Sequence, residues 1–317
     1  MLDSMHKKQR MSQKSSSEDL RSGYVAVIGK PNVGKSTLVN SLLGQKIAAV
    51  SPRPQTTRRR QLGILTTTDA QIILVDTPGF HTPRHKLGQF LNQEADEALR
   101  DVDVILWMVD ASQEPDDEDR QIAALLTSLR KKKSLVLGLN KIDLVDANTL
   151  EINRTRYESL VPRDSTLAFS ATGGNGLNEL LRVLVSLLPV RTAEFPEEQI
   201  TDSYEREIAA DLVREAALLH LRDEVPHCLA VRVDEYKERE ERGAYIHATL
   251  FVEKESQKSI VIGAGGEMLK KIGITAREEI ESMSGRKVFL ELRVKLEKNW
   301  RNNERALRQL GYNIKKR

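Results

Sequence analysis

Cysteine is nearly missing from this chain: Cys228 is the only one in 317 residues. One thiol cannot close an intrachain disulfide, so a covalent framework is excluded and a reducing, cytoplasmic setting fits. The six histidines are scattered, which removes the usual Cys/His metal clusters as well. Aromatic residues make up only 4% of the chain, so cores must be built mainly from Leu, Ile, Val and Ala. Long apolar runs are lacking too. The longest, "LLRVLVSLLPV", is interrupted by Arg182 and falls short of the ~20 residues that span a bilayer. Residues 1–20 are polar, with Asp3, Glu18 and Asp19 among them, and lack the apolar core of a secretory signal. They read as a disordered extension, with Met5 or Met11 as alternative starts.

What is present is charge. Charged residues reach 30%, with a net charge of only +3. The excess is unevenly placed. From Arg286 to Arg317 there are 11 Lys/Arg against Glu291, Glu297 and Glu304. Such a basic end suits a polyanion or a membrane surface.

The length suggests two domains at roughly 100–200 residues each. The first half alternates short β-branched runs ("YVAVIG", "GILTTT", "QIILVD", "VDVILWMVD", "SLVLGLN", "TLAFSA") with helical patterns at 87–100, 118–131, 150–160 and 177–188. Buried strands separated by helices predict a mostly parallel six-stranded α/β sheet over 21–190. Residues 191–203, with two prolines in "PVRTAEFPEEQITD" just before and within them, read as a linker. A second α+β module is expected over 204–317. It begins with a helix to His220, followed by two antiparallel strands, a short strand "SIVIG", a helix through Met283 and the strand "KVFLELRVKLE".

Five motifs in the first half carry chemistry. "GKPNVGKS", from Gly29 through Lys30, Pro31, Asn32, Val33, Gly34 and Lys35 to Ser36, follows a strand and opens a helix. It is the P-loop pattern, in which backbone N–H groups and a helix N-terminus cradle phosphates. Lys35 would reach the β- and γ-phosphates and Ser36 would ligate Mg²⁺. "DTPGF", Asp76, Thr77, Pro78, Gly79 and Phe80, would hold Mg²⁺ through Asp76 and a water, and meet the γ-phosphate at Gly79. "NKID", Asn140, Lys141, Ile142 and Asp143, selects guanine: Asp143 accepts from N1–H and N2–H₂, donors that adenine lacks. Asn140 would face O6/N7, Lys141 would cover the ring, and Ser170–Ala171 of "SAT" would offer a backbone N–H to O6. In "RPQTTRRR", Thr57, with Thr56 beside it, is the candidate to complete the Mg²⁺ shell. Phe80 stands where small signalling GTPases place a water-orienting Gln, so slow intrinsic hydrolysis is expected.

A second glycine loop, Gly263, Ala264, Gly265, Gly266, lies near the end. A dinucleotide fingerprint would need glycine where Met268 stands. A strand, G-x-x-G and a helix is instead the mark of a KH module, which clamps about four single-stranded nucleotides. This loop has no basic residue between its glycines. Phosphate contacts would fall to backbone N–H groups, the helix dipole, and Lys270 and Lys271 one turn on.

The ordered set "GKPNVGKS", "QTTR", "DTPGF", "NKID", "SAT", "FPEEQITD" and the second module resembles the Era family across almost the whole chain. That resemblance implies a P-loop GTPase domain followed by a type II KH domain. It also implies GTP hydrolysis with Mg²⁺, and binding near the 3′ end of small-subunit ribosomal RNA during ribosome assembly by a monomer. Similar GTPases use an Asn at the position of Asn32 to hold K⁺. Peripheral contact with the cytoplasmic face of the membrane is plausible for the family. The rival reading is a membrane-associated regulatory switch with a protein-binding C-terminal module. "NKID" disfavours an ATPase or kinase, and the single P-loop excludes double-GTPase relatives.

Overall fold

The computed structural model describes residues 20–51, 53, 56–79, 85–129, 133–239 and 243–312. Most of the N-terminal extension, Phe80 and the last basic residues, Lys315–Arg317, lie outside them. In chain order the first unit holds β1 (Arg21–Ile28), α1 (Lys35–Leu43), β2 (Gln61–Thr66), β3 (Ala70–Asp76), α2 (Lys86–Ala98) and β4 (Val104–Asp110). It continues with α3 (Asp117–Leu129), β5 (Ser134–Asn140), α4 (Ala147–Glu158), β6 (Ser165–Ala168) and α5 (Leu177–Leu187). The strands form one six-stranded sheet in the order β2-β3-β1-β4-β5-β6. Only β2 runs antiparallel to its neighbour.

The continuous apolar strands follow from burial on both faces. Alternate residues go to opposite sides. Ala26, Ile28, Ile105 and Trp107 pack with Leu126 and Tyr157 on one side. Val25, Val27, Val104 and Leu106 pack with Leu38, Leu42, Leu180 and Leu184 on the other. The carboxyl ends of β1, β3, β5 and β6 share one edge of the sheet, and each leads directly into one of the motifs above.

The segment at 191–203 is strapped along this sheet. Ile64 N–H donates to Ile200 O at 2.8 Å, and Gly63 bridges Thr201. Gln71, fully buried, accepts from Glu194 N–H at 2.8 Å and Phe195 N–H at 3.0 Å, and donates to Phe195 O at 2.9 Å.

The second unit holds α6 (Glu205–His220), β7 (Ala230–Arg239), β8 (Gly243–Val252), α7 (Glu255–Ile262), α8 (Glu267–Ser284), β9 (Val288–Leu296) and α9 (Glu304–Gln309). β8 is central, antiparallel to β7 and parallel to β9. One sheet face, including Val233, Ile246, Leu250 and Val294, packs with Leu212 and Val213 of α6 and Ile272 and Ala276 of α8.

One expected element is different. "SIVIG" is not a strand: its apolar residues form the end of α7. Three consecutive apolar residues fit either period, and here the upstream residues decide. Gln257 Oε1 accepts from Glu253 N–H at 2.9 Å and Lys254 N–H at 3.0 Å, satisfying donors at the helix start. Both edges of β8 are already taken by β7 and β9. The glycine loop therefore joins two helices.

Gln71→Leu should remove the partners of three linker backbone groups. The expected loss is about 2 kcal/mol in urea unfolding, with faster amide exchange at Glu194 and Phe195. Unchanged exchange there would show that the strap does not depend on Gln71.

Candidate functional site

The P-loop wraps around its own lysine. Lys35 is 7% exposed, and its ammonium donates to Gly29 O at 3.1 Å and Lys30 O at 2.9 Å. Burial pulls its pKa down to about 8, against the opposing Asp76 carboxylate. A polyphosphate would add countercharge to such a buried ammonium. Gly34 has φ 98, and a Cβ there would collide with the Asn140 amide. Asn32 also lies in the left-handed region, at φ 66, and lines the same cleft as Lys35 and Gly79.

Three oxygens converge beside Lys35. Ser36 Oγ lies 2.8 Å from Thr57 Oγ1 and 2.7 Å from Asp76 Oδ2, and Thr57 Oγ1 is 3.2 Å from that same carboxylate oxygen. Asp76 Oδ1 is buried with no protein hydrogen bond, and burial raises the Asp76 pKa despite Ser36 and Lys35. A hard divalent cation taking hydroxyl and carboxylate oxygens fits this set. Thr56 lines the same cleft, but its hydroxyl donates to Arg53 O at 2.9 Å.

The base-recognition loops are cross-tied. Asn140, 2% exposed, donates from Nδ2 to Val33 O at 2.8 Å and accepts from Ala171 N–H at 2.9 Å. The Asn140 amide thus links P-loop to "SAT" loop rather than standing open toward O6/N7, and Ala171 N–H is engaged by it. Asp143 is exposed at the start of a short 3₁₀ turn, Ile142–Leu144.

At the second loop Gly263 has φ 74 and ψ 172, a combination essentially confined to glycine; a Cβ would sit 2.8 Å from Met268 N. Gly266 caps α8 at φ 84, and Ala264 and Gly265 are exposed. A groove of about 410 Å³ continues from the loop between α8 and β9. Gly266, Lys270, Gly273 and Arg277 line its helix side; Phe289 and Leu290 line its strand side. Lys271 is exposed but is not among the groove's lining residues. Sequence reading missed Arg277 and Phe289. The signal for Arg277 was its spacing, i+7 from Lys270 along one helix face.

Residues 24–141 match the 50S ribosome-binding GTPase family, and residues 224–301 match the KH domain family. GTPase Era of Lacticaseibacillus paracasei is 47% identical over 294 residues, spanning 93% of this chain and 97% of its own. GTPase Era of Caldanaerobacter subterraneus is 45% identical over 298 residues, spanning 93% and 99%. This chain belongs to the Era family of GTPases. A crystal structure of Era in complex with MgGDPNP and nucleotides 1506–1542 of 16S ribosomal RNA matches it with a TM-score of 0.88 at 38% identity, over 93% of this chain and 100% of that one.

In this Era-family GTPase the segment carrying Thr57 also docks the KH module. Arg53 donates to Leu218 O at 2.7 Å and Leu221 O at 2.5 Å. Arg58 donates to Leu229 O at 2.7 Å and lies over the Trp300 ring, 5.6 Å from its centroid. Arg59 donates to Leu310 O at 2.6 Å and lies over Tyr312. From the other side Arg214 donates to Thr56 O at 2.5 Å. Arg58 and Arg214 are each only 3% exposed. Nearby, Leu87, Phe90 and Leu91 of α2 join Phe251, Trp300, Leu307 and Tyr312 in one core cluster.

Thr57→Val should weaken Mg²⁺-dependent binding of a non-hydrolysable GTP analogue by at least about tenfold, with GDP binding little changed. Thr56→Val should change neither. Titration of both variants with a fluorescent analogue tests this, and equal losses would reject the assignment of Thr57.

Proposed function

We propose that this chain is a GTP-hydrolysing switch that binds small-subunit ribosomal RNA near its 3′ end and acts in assembly of that subunit. One observation carries the reading: the segment that brings Thr57 into the phosphate site is the one that grips the KH module. The Era complex with 16S nucleotides supports the choice of RNA.

Lys35 and the P-loop N–H groups bind the phosphates, and Asp143 reads the guanine edge. Ser36, Thr57 and Asp76 would hold Mg²⁺, which would neutralise charge on the phosphates. Phe80 at the position after "DTPG" cannot polarise water, so hydrolysis without a partner is slow. Asn32, at the rim of the phosphate cleft, would present its carbonyl to K⁺. Turnover should be faster in KCl than in NaCl at matched ionic strength, and Asn32→Ala should erase the difference. Equal turnover of the parent protein in the two salts would eliminate the K⁺ site.

The glycine loop would clamp the RNA backbone through N–H groups at the start of α8, while the groove beside it receives bases. Linkage then requires reciprocity: if GTP tightens RNA binding, RNA tightens GTP binding by the same factor. Ala264→Asp and Gly265→Asp should each abolish binding of a 16S 3′-end fragment while GTP affinity holds. Arg277→Ala should weaken RNA binding. Lys270→Ala should lower the salt slope of RNA binding by about 1. RNA binding that survives the aspartates would refute the clamp. Crosslinking in cells with a peak away from the 3′ end would refute the RNA assignment.

A further inference from the structure

Asp110 closes β4 beside its register partner Asn140, the last residue of β5. Its Oδ2 receives the Lys141 ammonium at 2.7 Å. Its Oδ1 accepts from Ser112 N–H at 3.0 Å and Ser112 Oγ at 2.6 Å. The carboxylate is therefore oriented by its own strand end, independently of the lysine. Partial burial acts to raise the Asp110 pKa, but hydrogen bonds from Lys141 and Ser112 outweigh it and hold the group below the usual carboxylate range.

Lys141 is constrained at its other end as well. Its backbone is left-handed, φ 68 and ψ 36, which few lysines adopt. It lies between Asn140, tied to Val33 and Ala171, and the exposed Asp143. A lysine stem ordinarily samples many rotamers, and fixing it when a base arrives opposes binding. With the backbone set by the turn and the ammonium set by Asp110, the four-carbon stem is already stretched before the nucleotide enters.

We propose that Asp110 is a positioning residue for base recognition: by anchoring the Lys141 ammonium it presets the apolar lysine stem as a platform for one face of the purine. This rests on the guanine seat proposed above. It adds a division of labour to that seat. Asp143 reads the ring's edge, whereas a stem held by Asp110 contacts the ring's face and is indifferent to the exocyclic amine.

The test uses the full chain and competition against fluorescent GDP. Asp110→Asn should raise the dissociation constants of GDP and of inosine diphosphate by the same factor, roughly three- to tenfold, leaving their ratio unchanged. Lys141→Met keeps the stem but removes its anchor point, and should show a similar loss. The decisive result is the double variant. If Asp110 acts through Lys141, Asp110→Asn adds nothing further in the Lys141→Met background. Melting of the nucleotide-free protein should be little altered by Asp110→Asn, because a partly exposed ion pair contributes little to stability. Parent-like GDP affinity in Asp110→Asn, or losses that multiply in the double variant, would overturn the role of Asp110. A parent protein that binds ADP as well as GDP would instead overturn the guanine seat, and this proposal with it.

Discussion

The peptide from Arg53 to Gln61 has to satisfy two partners at once. Thr57 sends its hydroxyl toward Ser36 and Asp76, while Arg53, Arg58 and Arg59 send guanidinium groups into carbonyls of the KH module. Neighbouring residues of one short segment cannot move independently. Withdrawing Thr57 from the phosphate site drags on the arginines, and buried arginines are expensive to strip of acceptors: hydrogen bonds to charged groups contribute ~1.5–3 kcal/mol each. Arg58 and Arg214 have almost no solvent to fall back on. Covalent adjacency thus gives the phosphate site a direct route to the module's docking surface, without need of a relay through the core. A coupling free energy of ~1–3 kcal/mol, the usual allosteric range, is within reach of these contacts.

The nucleotide site shows the opposite strategy, in which distant segments are cross-braced into one rigid rim. Asn140 bridges the P-loop and the loop after β6, and Ser41 of α1 donates to Ala171 O at 2.6 Å. Lys30 of the P-loop reaches Asp116 and Asp119 at the start of α3, both at 2.7 Å. Rigid rims suit recognition that depends on a few directed contacts.

Much of this was legible in the sequence, for identifiable reasons. "GKPNVGKS" and "NKID" are local patterns whose spacing alone carries chemistry, and alternating strand and helix signals suffice for a doubly covered sheet. Thr57 could be chosen over Thr56 only loosely; in the structure the Thr57 hydroxyl meets Ser36 and Asp76, whereas that of Thr56 meets Arg53 O. The strand expected at "SIVIG" failed because periodicity is ambiguous over three residues, and the deciding polar group, Gln257, lies upstream of the run. The role of "RPQTTRRR" was opaque for a different reason. Arg58 and its acceptor Leu229 are 171 positions apart, and no local pattern encodes such a pairing. The same holds for Lys141 and Asp110, which lie at the ends of adjacent strands yet 31 positions apart. The amide of Asn140 was expected to face the base; its tie to Val33 and Ala171 depends on three loops meeting, which one motif does not reveal.

The strapped linker has its own consequence. Backbone and side-chain bonds hold it to the sheet as far as Asp202, whose carboxylate receives Leu62 N–H at 3.1 Å, and α6 begins at Glu205. The pivot between modules is thus two residues long, Ser203 and Tyr204, although the segment between the folded units is far longer. A tether that short confines the KH module to a small volume around its docking surface. For short linkers the effective concentration is of the order of millimolar or above. At such a concentration even contacts too few to associate two separate proteins would keep the modules together.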